Sequence, residues 1–316
     1  MIQTEICDLL GIEYPILQGG MAWVATKELV AAVSEAGALG IIGAGNAPPD
    51  FVRDQVRGVK ERTNRPYGLN IALFSPYVDE IVRICIEEHV PVVTTGAGSP
   101  SAVIPPLKGA GIKVIPVVGS VALARRVERM GADAIVAEGM ESGGHIGDVT
   151  TMPLIPQVVD AVKVPVIAAG GIGDGRGLIA ALALGAKGVQ MGTRFICTTE
   201  CTAHANYKER ICRAGDRSTM TSGHSLGHPV RAIRNQMTQQ FAELERTGAS
   251  EAEVIAFGTG RLRLAAVEGD TEQGTVMAGQ ICGLVNSVVP AAQLIHDIMA
   301  QAEQAIQRVC EMRLPH

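Results

Sequence analysis

Three features are scarce in this sequence: aromatic residues, long apolar runs and blocks of like charge. Aromatic side chains make up 3% of the 316 residues, so the core has to be built mainly from aliphatic side chains and Met. No apolar run approaches the roughly 20 residues of a membrane-spanning helix, which predicts no membrane segment. A net charge of −5 without basic blocks argues against nucleic acid and anionic membranes as partners. With 47% hydrophobic residues, the chain can still bury a large core.

Markers of secretion and of a metal centre are weak as well. The first fifteen residues lack the basic and apolar regions of a signal peptide, and the seven cysteines are spread as reduced thiols usually are. These features predict a cytoplasmic protein.

Cys197 and Cys201 form one Cys-x3-Cys pair, but no second pair completes a zinc set. His224 and His228 lie four residues apart, yet Gly227 weakens a helical metal-binding face. The sequence therefore predicts no metal held by these residues.

Several nucleotide and hydrolase motifs are absent. No G-x-G-x-x-G follows an apolar run, which argues against a Rossmann nicotinamide domain. The P-loop, the G-x-S-x-G elbow and the H-E-x-x-H zinc motif are missing too. The chemistry has to be sought in other residues.

Short apolar runs rich in β-branched residues recur along the first two thirds of the chain. They occupy 15–20, 39–45, 67–74, 90–96, 112–119, 134–139, 164–171 and 188–195. The runs are continuous rather than alternating, as in parallel strands that are covered on both faces. Segments with helical periodicity lie between them, at 26–38, 76–89 and 175–186 for example. Eight such units predict a (β/α)8 TIM barrel; an open doubly wound sheet is the alternative, and the near-regular spacing favours closure.

The regular spacing ends at residue 196. Residues 228–249, HPVRAIRNQMTQQFAELERTGA, read as a long charged helix, and residues 291–312 as a strong terminal helix. We expect a barrel over 1–196, a mostly helical insertion over 197–270 that forms a lid on the active site, and a return segment with the terminal helix over 271–316.

Glycines crowd the carboxyl ends of the predicted strands, where TIM barrels carry their active sites. The seventh strand ends in AAGGIGDG and the eighth is followed by GT, so backbone amides from both loops can bind a phosphate group. Gly170, Gly171, Gly192 and Thr193 are the candidates. Loops also need glycine for turns alone, but seven such loops at one rim favour a ligand site.

The segment EGMESGGHIG (138–147) follows the sixth strand and contains His145. Too many glycines surround this histidine for packing to bury it, and a histidine titrates near neutrality. Its position predicts a functional group at the barrel mouth; an incidental residue in a glycine-rich turn is the other interpretation.

Long motifs then resemble a known family. YPILQGGMAWVA (14–25), AEGMESGGHIG (137–147), VIAAGGIGDGRG (166–177) and GTVMAGQICGLV (274–285) are similar to those of the FMN-dependent enoyl-acyl-carrier-protein reductases of type II. These enzymes belong to the wider nitronate monooxygenase (2-nitropropane dioxygenase) superfamily of flavin barrels. The resemblance extends over almost the entire chain.

The resemblance implies a cofactor, a reaction and partners. It implies FMN across the barrel mouth, NADH or NADPH as cosubstrate, and reduction of a trans-2-enoyl thioester on acyl carrier protein or coenzyme A, the last step of fatty acid elongation. It makes His145 the catalytic residue, a homodimer the expected assembly and a monovalent cation an optional ligand. The FMN contacts that it implies are Gly19, Gly20, Met21, Ala22, Asn70, Glu138, Gly143, Gly170, Gly171, Gln190, Gly192, Thr193, Met277 and Gln280.

Alternatives stay open at this point. A nitronate monooxygenase shares the barrel, the FMN and a histidine at this place, but oxidises alkyl nitronates with oxygen. An inosine or guanosine monophosphate dehydrogenase or reductase needs a cysteine after the sixth strand, and none is present there. A flavin-holding barrel without turnover is a third alternative. Arg231 and Arg234 contact the donor's phosphates or the acidic carrier protein, or they belong to a solvated helix face.

Overall fold

A computed structural model describes residues 2–312 of the chain. Eight parallel strands form a closed barrel, in which β1 pairs with both β2 and the last barrel strand, β9. The barrel strands are β1 (Ile16–Gln18), β2 (Leu39–Gly43), β3 (Tyr67–Ala72), β4 (Val92–Gly96), β5 (Lys113–Val118), β6 (Ile135–Glu138), β8 (Val166–Ala169) and β9 (Gly188–Met191). The predicted TIM barrel is confirmed, and each strand lies within its predicted apolar run.

Helices alternate with the strands and cover the outside of the barrel. They are α1 (Glu5–Leu10), α2 (Lys27–Glu35), α3 (Pro49–Lys60), α4 (Val78–Glu87), α5 (Ile104–Gly109), α6 (Val121–Arg129), α7 (Thr151–Val159), α8 (Gly175–Ala183) and α9 (Thr193–Ile196), with a 3₁₀ turn at Pro100–Ala102. The Ser120 hydroxyl caps α6 and the Asp174 carboxylate caps α8, because each accepts backbone N–H groups of the first turn. The three helices expected at 26–38, 76–89 and 175–186 are present.

The core has an inner layer within the barrel and an outer layer between strands and helices. Leu17, Ile41, Ile115 and Val136 fill the inner layer and are fully buried. In the outer layer α2 packs very closely on β2, since a Cβ on Gly40 would lie 2.2 Å from the Val30 carbonyl oxygen. Aliphatic side chains supply both layers, as the scarcity of aromatic residues predicts.

The insertion after α9 contains helices and a β-hairpin. Its helices are α10 (Ala205–Cys212), α11 (Gln236–Arg246), α12 (Glu251–Gly258) and α13 (Arg261–Ala266), and its hairpin strands are β10 (Thr219–Ser222) and β11 (Val230–Ile233). The hairpin extends into a three-stranded antiparallel sheet with a short strand of the sixth loop, β7 (Gly144–His145).

The prediction of a single long helix over 228–249 is wrong. Its first part is strand β11, and the helix begins only at Gln236, after an Asn235–Thr238 capping box. The residues VRAI of β11 find backbone partners on both sides, in β10 and β7, and this non-local pairing outweighs the local helical pattern.

A return segment brings the chain back to the barrel mouth before the terminal helix. It passes residues 276–279, forms a 3₁₀ turn at Gln280–Leu284 and leads into α14 (Ala291–Glu311). Helix α14 packs against α8, where a Cβ on Gly175 would lie 2.3 Å from the Ala302 nitrogen. No helix within residues 2–312 is long and apolar enough to span a membrane. The division at 196 and 270 stays a prediction.

Candidate active site at the barrel mouth

The strand register brings three predicted polar contacts to one rim. Glu138 at the end of β6 pairs with Ala169 of β8, and Ala169 pairs with Gln190 of β9. On the other side of the barrel Asn70 of β3 donates a hydrogen bond to the Thr94 hydroxyl, 2.9 Å away. Carboxyl ends of parallel strands meet at one face, so these side chains surround the same mouth.

The backbone of the loop after β1 packs closely against the neighbouring barrel strands. A Cβ on Gly19 would lie 3.1 Å from the Gln190 side chain, and a Cβ on Gly20 would lie 2.3 Å from the Asn70 Cβ. The backbone of Met21 is as close to β2, since a Cβ on Gly43 would lie 2.3 Å from its carbonyl carbon. Ala22 packs in the same way, with its Cβ 2.5 Å from the Cβ position of Gly45. The backbone of this loop therefore packs directly on β2, β3 and β9.

The loop after β8 turns through two left-handed glycines. Gly170 and Gly171 have φ values of 86° and 72°, a region that disfavours any residue with a Cβ. The Thr151 hydroxyl lies 2.9 Å from the Gly170 carbonyl and 2.6 Å from a Glu141 carboxylate oxygen, which also accepts the Thr151 backbone N–H. Glu141 and Thr151 thus hold this loop, and the sequence reading missed both.

The loop after β9 is tied to the return segment. The buried Thr193 hydroxyl accepts the backbone N–H of Gly279 at 2.9 Å, and the Met21 sulfur lies 3.4 Å from the Cβ position of Gly192. Within the part of the chain that the structure describes, the backbone N–H groups of Gly171 and Gly192 have no acceptor. Such amides suit an anion at these two loops.

The return segment packs against the sixth loop at backbone distance. A Cβ on Gly143 would lie 2.6 Å from the Ala278 carbonyl carbon, and the Gln280 N–H donates to the Glu141 carbonyl at 2.9 Å. The fully buried Tyr207 of α10 donates its hydroxyl to the Met277 carbonyl at 2.9 Å. Gly143, Met277 and Gln280 therefore meet at one place although they lie far apart in the sequence. Tyr207 is a further residue that the sequence reading missed.

His145 lies in β7, where it pairs with Val230 of the insertion. Its ring is exposed at the mouth and lies 5.5 Å, centroid to centroid, from the ring of Phe74 in the loop after β3. The protein around the ring lowers the pKa of His145 below 6.5 by desolvation, and the nearby His228 lowers it further. A neutral imidazole can donate one hydrogen bond and accept another.

Glu138 is a half-buried acid at the mouth. Desolvation raises the pKa of its carboxyl group to about 7. The buried Ser142 hydroxyl beside the carboxyl group makes a smaller contribution in the opposite direction and lowers this pKa. Two polar groups therefore border the mouth in an apolar setting, and buried polar groups of this kind are typical of ligand sites.

Residues 3–301 match the nitronate monooxygenase family. The chain belongs to this family. The solved structure of FabK from Thermotoga maritima is 50% identical, with a TM-score of 0.97 over 99% of this chain and 100% of that one. An indene-carboxyl-CoA dehydrogenase from Mycobacterium tuberculosis is 34% identical, and the match covers 97% of this chain and 98% of the relative. A probable nitronate monooxygenase from Staphylococcus saprophyticus is 33% identical over 97% of this chain and 99% of its own length.

Members of the nitronate monooxygenase family are flavoproteins, and this mouth fits a flat, phosphorylated cofactor. The glycines at 20 and 143 face atoms so close that a Cβ would displace them, and a Cβ at position 19 would crowd the Gln190 side chain. The free N–H groups of Gly171 and Gly192 offer polar contacts. A mainly apolar cavity with a few converging polar groups is the usual form of a cofactor site.

The two arginines of the insertion lie in different environments. Arg231 is buried, and its guanidinium donates to the Met140 carbonyl and to the Thr219 hydroxyl, both at 3.1 Å. Burial lowers its pKa below the ordinary value. The interpretation of Arg231 as part of a solvated helix face is therefore wrong. Arg231 lies in β11, and its hydrogen bond to Met140 supports the sixth loop. Arg234 is exposed.

Proposed function

We propose that this protein is an FMN-dependent enoyl reductase, which uses NADH or NADPH to saturate trans-2-enoyl thioesters of acyl carrier protein or coenzyme A. The position of His145 on the open side of the glycine-lined mouth carries this proposal. FabK is the name of the type II enoyl reductases. The 50% identity to FabK therefore supports enoyl reduction over the alternative reactions. A relative at 34% identity acts on a CoA ester by its name, which supports a thioester substrate.

The residues of the mouth have separate roles in this proposal. Gly170, Gly171, Gly192 and Thr193 would hold the FMN phosphate through backbone N–H groups. The flat loop at 19–22 would carry the ring system. The remaining proposed contacts are Asn70, Glu138, Gly143, Gln190, Met277 and Gln280. When bound, FMN would supply the redox chemistry of hydride transfer from the nicotinamide to the enoyl Cβ.

His145 would act on the thioester itself. As a neutral imidazole it donates its N–H to the thioester carbonyl oxygen, where negative charge develops as the double bond is reduced. In the same position the ring would also be able to assist protonation of Cα. The Phe74 ring lies beside the His145 ring and would help to orient it.

The replacement of His145 by Ala tests this role. We expect kcat/KM for crotonyl-CoA to fall by about 10² to 10⁴, the range of a lost general acid or base, with FMN content unchanged. His89→Asn is the matched control, because His89 is exposed at the opposite end of the barrel. Near-normal turnover of His145→Ala would exclude its catalytic role.

Nitronate oxidation is the second candidate, since the family and a relative at 33% identity carry that name. The purified holoprotein distinguishes the two. Reduced anaerobically by NADH or NADPH, it should be reoxidised quickly by crotonyl-CoA. Rapid oxidation of an alkyl nitronate in air, with no reduction of crotonyl-CoA, would refute the reductase proposal.

A further inference from the structure

The insertion brings a second imidazole to the mouth. The sixth loop and the hairpin strand continue to pair beyond β7, because the Ile146 N–H donates to the Pro229 carbonyl at 3.0 Å. His228 immediately precedes this proline and is exposed. The pairing thus extends along the sixth loop as far as Pro229, the residue that follows His228.

Continued two residues beyond β11, the register would place His228 on the face of the small sheet that carries His145. His145 pairs with Val230, and side chains two residues apart in a strand project to the same side. His228 is therefore the diagonal neighbour of His145, at a typical Cα separation of about 7–8 Å. Electrostatics agree with this proximity, because His228 lowers the pKa of His145.

The turn that carries His228 is firmly held. One oxygen of the Glu245 carboxylate in α11 accepts the Gly223 N–H at 2.8 Å, and the other accepts the Ser225 N–H at 2.9 Å. Gly223 in turn packs on the His228 backbone, with its Cβ position 2.9 Å from the His228 carbonyl oxygen. Both carboxylate oxygens of Glu245 are thus engaged by the turn.

The His228 ring itself has no hydrogen-bond partner among residues 2–312. The neighbouring His224 does have one, since its Nε2 lies 3.0 Å from the Thr221 hydroxyl. An exposed imidazole without a partner, on a fixed turn beside the reacting face, is available for a cosubstrate. Its chemistry suits an anion, to which it donates an N–H.

We infer that His228 binds the diphosphate of the nicotinamide donor, an assignment that rests on the proposed function. The short distance between the His145 and His228 side chains favours the nicotinamide donor over coenzyme A or acyl carrier protein as the ligand of His228. In a nicotinamide dinucleotide a single ribose separates the ring from the first phosphate. In coenzyme A or carrier protein the whole pantetheine arm separates the thioester from its nearest phosphate. His228, as the diagonal neighbour of His145, would therefore be close enough to contact the first phosphate of a nicotinamide dinucleotide.

The test compares His228→Ala with the unchanged holoenzyme. In anaerobic stopped flow, the Kd for NADH should rise about tenfold, the size of one charge-assisted hydrogen bond, with little change in the limiting rate of flavin reduction. The rate constant with 1-benzyl-1,4-dihydronicotinamide, a donor without phosphate, should stay the same. His228→Lys should restore most of the affinity, and His224→Ala is the matched control within the same turn.

Calorimetric titration with ADP-ribose gives a readout that needs no turnover. His228→Ala should bind ADP-ribose about tenfold more weakly and coenzyme A as before. Equal ADP-ribose affinity in both proteins would overturn the inference, and so would a loss confined to coenzyme A. If the holoprotein reduces no enoyl thioester, the proposed function fails, but these titrations still decide whether His228 binds a diphosphate.

Discussion

The rings of Phe74 and His145 lie 5.5 Å apart at an angle of 50°, although they come from different loops of the barrel. Phe74 follows β3, His145 lies in β7, and the two residues meet across the mouth. Phe74 is 53% exposed, an unusual position for a large aromatic side chain in a protein with few of them. The pair forms one wall of the proposed substrate site.

Loss of the aromatic ring at position 74 should impair turnover. For Phe74→Leu we expect kcat/KM for crotonyl-CoA to fall about two- to tenfold, because an aromatic pair contributes roughly 0.5–1.5 kcal/mol beyond its buried area. Steady-state kinetics with a fixed NADH concentration measure the effect. Phe74→Tyr keeps the ring and should behave like the unchanged protein. Identical kinetics for Phe74→Leu would show that the ring contact does not position His145.

A methyl group at position 143 should expel the flavin. Gly143→Ala would bring a Cβ to 2.6 Å from the Ala278 carbonyl carbon and 2.7 Å from the Gly279 nitrogen, so the return segment must move. We expect the purified variant to contain much less FMN, measured by absorbance near the flavin band relative to protein. Gly109→Ala is the control, because nothing lies within 4 Å of that Cβ position. Full FMN content in Gly143→Ala would contradict the expected contact.

The hydroxyl of Tyr207 should stabilise the return segment. Tyr207→Phe removes the hydrogen bond to the Met277 carbonyl and leaves that acceptor without a partner, at a cost of about 1–3 kcal/mol in the free energy of unfolding. Thermal unfolding should show a lower Tm, and FMN should dissociate faster. Tyr77→Phe serves as the control, since the Tyr77 hydroxyl has no hydrogen bond in the described part of the chain. An unchanged Tm and unchanged FMN release would show that this bond contributes nothing.

Glu138 should make stability depend on pH. Its pKa is about 7 in the folded protein, against 4.5 as the ordinary value, so between these values the folded state binds more protons than the unfolded state. The free energy of unfolding of the flavin-free protein should therefore fall as pH rises from 4.5 through 7, by an amount on the order of 3 kcal/mol.

Urea unfolding at pH 5, 6, 7 and 8 checks this expectation. Glu138→Gln is the matched variant, because its neutral amide has nearly the same shape and cannot ionise. Its stability should change less over this interval than that of the unchanged protein. Parallel pH profiles for the two proteins would mean that the carboxyl group titrates in the ordinary range.

Much of the site follows from local sequence. Glycines at 170 and 171 follow a buried strand and adopt the positive φ angles that glycine permits. His145 is conspicuous in the sequence for the same reason, since a glycine-rich loop cannot bury it. Glu141 and Thr151 carried no such signal, because a carboxylate and a hydroxyl on loop and helix are ordinary surface residues until the fold brings them together.

The sequence by itself determined the barrel and its mouth. Parallel strands that are buried on both faces need continuous apolar runs, so their number and order can be read directly from the chain. Only the tertiary structure decided that VRAI is a strand, that Arg231 is buried and that His228 stands beside His145. Each of these depends on pairing between the sixth loop and a distant hairpin, and backbone hydrogen bonds between remote segments leave no periodic pattern in either one.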